Sequence, residues 1–87
     1  MEVAVYLIAP KIGIPVKELI KAIDNGDITG GFPSDDPLSK MAWVDLLSLR
    51  NYVEWLYEQK RVTEQKYLKA IRHIELTKDK LSMQQEE

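Results

Sequence analysis

Lys17 and Lys21 stand four residues apart in "PVKELIKAIDNG". That spacing puts two side chains on one face of a helix, and two ammonium groups held so can contact phosphates or base edges. Glu18 and Asp24 in the same segment allow another outcome, a solvated face that pairs its charges internally. Asp35-Asp36, inside "PSDDPLSK", suits the capping of a turn, a metal ligand, or the repulsion of DNA. His73 is the one histidine, sits among Lys and Arg, and has no second ligand at a spacing such as His-x3-His. The chain has no cysteine, which removes thiol catalysis and thiolate metal sites. "GDITGG" follows a helical pattern and lacks the lysine-serine ending of a phosphate-binding loop. No Ser/His/Asp set is suggested and the carboxylates are scattered. The expectation is a binding protein, not an enzyme, with no cofactor and no metal.

The 87 residues hold one domain with an appended helix. A domain this small buries only about 60 % of the surface its unfolded chain exposes, so oligomerisation would help it. The formal charge is -2. Residues 1–61 carry seven basic against nine acidic side chains, and the remainder five of each. Global charge therefore does not favour nucleic acid, whose binders use excess Lys and Arg to neutralise phosphate. "VAVYLIA" is too short to span a bilayer and lacks the basic flank of a signal peptide. A reducing cytoplasm suits the composition, with no membrane partner.

The elements that must position Lys17 and Lys21 follow from periodicity. Val3 to Ala9 fits an opening strand or a short buried helix equally, and Pro10 either begins a helical turn or ends an extended piece. Val16, Leu19, Ile20 and Ile23 make one buried helical stripe, with Pro15 at the first helical position and Asn25-Gly26 as a left-handed stop. Lys17, Glu18, Lys21, Ala22 and Asn25 then face outward. "DITGGF" starts a short strand with Ile28 turned inward. An exposed eight-residue loop and a second strand around Trp43 and Val44 complete a hairpin, with Trp43 in the core. Ser48 reads as the N-cap of the next helix, with a Leu47–Tyr52 staple across it, and that helix runs to about Lys60. Trp55 and Tyr57 form a bed for the last helix or a subunit contact. Thr63 caps that last helix, which runs to about Leu81, with Tyr67, Ile71, Ile74 and Leu81 near a heptad seam.

A helix ending in "NGDI", a turn-rich hairpin, an aromatic strand and another helix make the order of a small winged helix-turn-helix. The expected fold is mainly α with a small β-hairpin wing. A winged helix-turn-helix occupies 1–61, a C-terminal helix for oligomerisation or packing 62–81, and a disordered tail 82–87. "IGIPVKELIKAIDNGDI" resembles the helix-turn-helix of excisionases and MerR-type DNA-binding domains. "MAWVDLLSLRNYVEWL" resembles the segment that follows their wing. The nearest likeness is to the Cox regulators of temperate bacteriophages, which double as excisionases and repressors. Pyocin-activator-type regulators are similar over the same stretch, about Ala9 to Leu56. Three departures stand out: Glu18 and Asp24 beside the two lysines, an acidic hairpin tip, and Pro10 where the first helix should run.

The resemblance implies a DNA-binding regulator of a phage or other mobile element, an excisionase-like architectural factor or a transcriptional switch. Lys17, Lys21 and Asn25 would face the major groove of double-stranded DNA, and Lys40 and Lys11 would hold backbone phosphates. Tyr67, Ile71, Ile74 and Leu81 would join copies into a homo-oligomer, with an integrase or another regulatory protein as a possible further partner. The alternative is a module of the same fold that binds protein instead of DNA, an adaptor, anti-repressor or inhibitor offering an acidic surface.

Overall fold

The structure is a computed structural model that describes residues 1–33, 35 and 40–85. Among them, helices dominate and three short strands form one antiparallel sheet. The order is β1 (Glu2–Ala4), α1 (Val5–Ile12), α2 (Val16–Asp24), β2 (Gly30–Gly31), β3 (Trp43–Asp45), α3 (Leu46–Glu58) and α4 (Glu64–Gln85). The sheet order is β1-β3-β2, so the last strand lies in the middle.

Two strands turn into helices without a loop. β1 pairs with β3 through Glu2↔Asp45, Val3↔Val44 and Ala4↔Trp43. At the ends of this pairing the Val5 N–H donates to the Ala42 carbonyl and the Leu46 N–H to the Met1 carbonyl, at 3.0 and 2.8 Å. Each helix thus has its first amide satisfied by the neighbouring chain segment, and α1 needs no side-chain cap. Val3 to Ala9 is therefore both strand and helix, divided at Ala4. Pro10 neither begins nor ends a segment but lies inside α1, where it cannot donate to the Tyr6 carbonyl. Pro10 and Tyr6 are both exposed, so water can take that carbonyl.

In α2, Leu19 and Ile20 are buried, and Val16 and Ile23 pack half-buried against the same core. Pro15 is the residue before the helix, not its first, and its carbonyl accepts from the Glu18 and Leu19 amides. Ala22, expected on the outward face, is buried, at the floor of a groove that Tyr52, Trp55 and Leu56 of α3 also line. The helix ends as its residues suggest. Gly26 has φ 83°, its amide donates to the Ile23 carbonyl, and the Asp27 amide donates to Ala22 at 2.8 Å, a Schellman closure.

The hairpin strand before the loop is only Gly30-Gly31, paired with Val44 and Trp43. Ile28 is buried just ahead of it. Trp43 is half-buried, not core, because its indole lies over Gly31, where a Cβ would stand 2.8 Å from Nε1. Asp35 is an exposed turn residue; Asp36 and Pro37 of the expected loop lie outside the described residues.

Helix α3 begins at Leu46, capped by Asp45 and not by Ser48: the Asp45 carboxylate accepts from the Ser48 amide at 3.0 Å. The Ser48 hydroxyl instead accepts the Thr29 amide at 2.7 Å, fastening the α2–β2 link to α3. Leu47 is inside the first turn and exposed, so no staple with Tyr52 forms. The helix stops at Glu58, slightly before Lys60. Lys60 adopts φ 59°, and the Lys60 and Arg61 amides donate to Tyr57 and Leu56, the same closure as at Gly26 without the glycine.

Thr63 caps α4 as expected, its hydroxyl accepting the Lys66 amide at 3.2 Å. The helix continues past Leu81 to Gln85, so most of the expected disordered tail is helical; residues 86–87 lie outside the described residues. The seam meant for a second copy is covered by this chain. Ile74 is buried, and Tyr67, Ile71 and Leu81 are half-buried against the core built by α1 and α3. Tyr57 stacks on Tyr67 with ring centres 4.4 Å apart, and Arg50 reaches Glu75 at 3.1 Å. Tyr57 is thus part of the bed for the last helix.

Candidate nucleic-acid interface

With Leu19, Ile20 and Ala22 turned into the core, α2 has one free face, and Lys17, Lys21 and Asn25 are exposed on it. Glu18 and Asp24 are exposed on the same helix. Among the described residues neither lysine joins an ion pair within 4 Å; the pairs present are Met1–Asp45, Arg50–Glu54 and Arg50–Glu75. The mixed face therefore does not neutralise itself by direct contact.

Lys21 and Asn25 open onto a groove of about 440 Å³ between α2, α3 and the α3–α4 turn. Its far side brings Trp55, Arg61 and Lys66 opposite them. Tyr52 stacks on Trp55 with ring centres 5.9 Å apart, and the Arg61 guanidinium lies 5.6 Å from the Trp55 ring. Burial raises the Tyr52 phenol above its usual pKa, aided by the Glu18 and Asp27 carboxylates, so it stays a neutral hydroxyl. The aliphatic stem of Lys66 passes by Gly13 in the α1–α2 turn, with Cε 3.4 Å from where a glycine Cβ would stand. Arg61 and Lys66 went unnoticed in sequence because each looks like an ordinary helix-end cation. Only the turn at Lys60 swings them towards α2.

The other two expected phosphate contacts sit elsewhere. Lys11 is exposed in the last turn of α1. Lys40 is exposed beside the hairpin, but its ammonium lies 5.7 Å from the Tyr6 ring centre, which ties it to α1. An open apolar surface lined by Tyr6, Pro10, Pro15 and Val16 runs along α1 to the start of α2. The structure thus joins Lys21 and Asn25 in one groove, leaves Lys17 beside them on the same helix, and places Lys11 and Lys40 on α1 and at its flank.

Among the described residues no three His, Cys, Asp or Glu side chains gather as a metal site, and no helix is long and apolar enough to cross a membrane. No protein-family model, curated protein or solved structure matches the chain.

Proposed function

We propose that this chain is a winged helix-turn-helix protein that binds double-stranded DNA by the exposed face of α2, and that it regulates a phage or other mobile element. In this reading it acts as an excisionase-like architectural factor, a transcriptional regulator, or both, and performs no catalysis. The observation that carries it is the placement of Lys17, Lys21 and Asn25. They stand exposed on the second helix of a helix–turn–helix unit, followed by a hairpin whose returning strand also pairs with the segment before α1. A helix so presented can enter the major groove while flanking cations hold phosphates. Lys11 and Lys66 supply backbone contacts, and Arg61 joins them by leaving the Trp55 ring, 5.6 Å away. Lys40 does so only by leaving Tyr6, an exposed cation–π contact worth about 0.5–1 kcal/mol.

So few positive charges bind one site weakly. Repeated sites and self-association would supply the remaining affinity, and an integrase sharing the DNA is the natural companion in excision. A second reading draws on the same groove. Glu18 and Asp27 line it with the half-exposed Trp55, a composition that suits a protein partner.

Gel retardation of a random duplex pool at low salt separates the two. The double variant K17A/K21A should bind roughly tenfold more weakly or worse, with an unchanged melting temperature because both side chains are exposed. Unchanged binding would remove α2 as the reading helix. Absence of retardation at micromolar wild-type protein would end the DNA reading and leave the protein-binding one.

A further inference from the structure

Helix α4 carries a second apolar face opposite the one it buries. Leu68, Leu76 and Met83 are 56 %, 54 % and 71 % exposed. With exposed Arg72 and Asp79 they fall within an arc of roughly 80° at 3.6 residues per turn. Neither Arg72 nor Asp79 belongs to an ion pair among the described residues. The stripe thus reads apolar, positive, apolar, negative, apolar.

This order is self-complementary in one orientation. We infer that the outer face of α4 is the self-association surface of this protein, pairing antiparallel with α4 of a second copy about a two-fold axis between Glu75 and Leu76. In that register Leu68 meets the partner's Met83, Arg72 meets the partner's Asp79, and the two Leu76 side chains meet near the axis. Each contact occurs twice, as an isologous interface requires. Leu68, Lys69, Arg72, His73 and Leu76 outline an open depression on this face, into which an unbranched methionine from the other copy can pack.

Charge selects both orientation and register. A parallel pair would set Arg72 on Arg72 and Asp79 on Asp79. A slip that centres the axis on Leu76 would set Arg72 against Lys80. Like charges directly opposed are unfavourable in each alternative. The inner seam of Tyr67, Ile71, Ile74 and Leu81 cannot serve this purpose, because it packs against the protein's own core. The surface is one narrow helix face, so the dimer belongs to the weak, concentration-dependent class. It deepens the self-association part of the proposed function without depending on DNA contact, so a failed DNA assay leaves it standing.

Sedimentation equilibrium of the full chain tests it. The wild type should show a monomer–dimer equilibrium, and R72D or D79R should weaken it at least about tenfold. The double variant R72D/D79R restores the opposite pairing and should recover most of the loss. The chain has no cysteine, so single cysteines report geometry. With oxidised glutathione, L76C should form a disulfide dimer. L68C should not, because two such positions lie about 22 Å apart at 1.5 Å per residue. Circular dichroism checks that each variant stays folded. A wild type that is monomeric at high micromolar concentration would overturn the inference, as would a double swap without recovery or L68C cross-linking as readily as L76C.

Discussion

Helices α2 and α4 use one kind of pattern, an apolar stripe beside charged positions, to opposite ends. In α2 the stripe is turned inward: Leu19, Ile20 and Ala22 are buried, Val16 and Ile23 are half-buried against the same core, and the exposed side chains are polar and include Lys17 and Lys21. In α4 the inner stripe is equally used, by Ala70 and Ile74, yet Leu68, Leu76 and Met83 are left over outside. The exposed face of α2 is therefore charged, the surface the proposed DNA contact uses, and the outer face of α4 is largely apolar, the surface the proposed pairing of two copies uses. Periodicity tells that a stripe will be covered; it does not tell by whom.

Breaking the inner face of α4 should have the largest effect. Ile74→Ala should cost about 2–4 kcal/mol in chemical denaturation, the range for a buried large-to-small change. Leu76→Ala, two residues on but exposed, should change monomer stability by less than about 0.5 kcal/mol. Similar losses for the two would erase the distinction between the faces.

The ends of α2 and α3 sharpen the contrast next. Both close by the same hydrogen-bond pattern, with Gly26 at φ 83° and Lys60 at φ 59°. A side chain in this left-handed region costs about 1–2 kcal/mol. Gly26→Ala should therefore destabilise by about that amount, since a Cβ there meets nothing within 4 Å and only the backbone is strained. Lys60→Gly should stabilise by about 0.5–1 kcal/mol. A stabilising Gly26→Ala, or a neutral Lys60→Gly, would contradict the closures described.

Asp45 fixes the strand that returns from the hairpin to α3, and its removal should come next in size. Asp45→Ala should cost about 1 kcal/mol as a lost N-cap. The Ser48 amide, and then the Met1 ammonium at 3.1 Å, lower the Asp45 pKa below its ordinary 3.8. Because the folded value is the lower one, this stabilisation is complete above pH 3.8 and fades as acid passes through the folded pKa. Asp45→Asn keeps a cap and should flatten that acid dependence; an unchanged pH profile would show that the carboxylate charge contributes nothing.

Much of this arrangement is legible in the sequence. The stripe of α2, its stop at Asn25-Gly26, the Thr63 cap and the exposed lysines followed from spacing and turn chemistry alone. What escaped depended on distant partners. Pro10 lies inside α1 on its exposed side, beside exposed Tyr6, whose carbonyl it leaves without an amide donor. Asp45, not Ser48, caps α3 because Ser48 is engaged by Thr29 from another part of the chain. The seam of Tyr67, Ile71, Ile74 and Leu81 has spacing that suits either a second copy or the chain's own body, and only the packing of α1 and α3 decides. Arg61 and Lys66 join Lys21 through a left-handed lysine, and such a conformation has no signature in composition.

The most direct test of DNA contact by α2 is the salt dependence of duplex binding, measured by fluorescence anisotropy for the wild type and K17A/K21A. The affinity of the wild type should fall linearly on a log–log plot, with a slope steeper than about -2 if three or more phosphates are neutralised. The double variant should bind more weakly with a shallower slope. A flat wild-type line, or identical slopes for the two proteins, would contradict it.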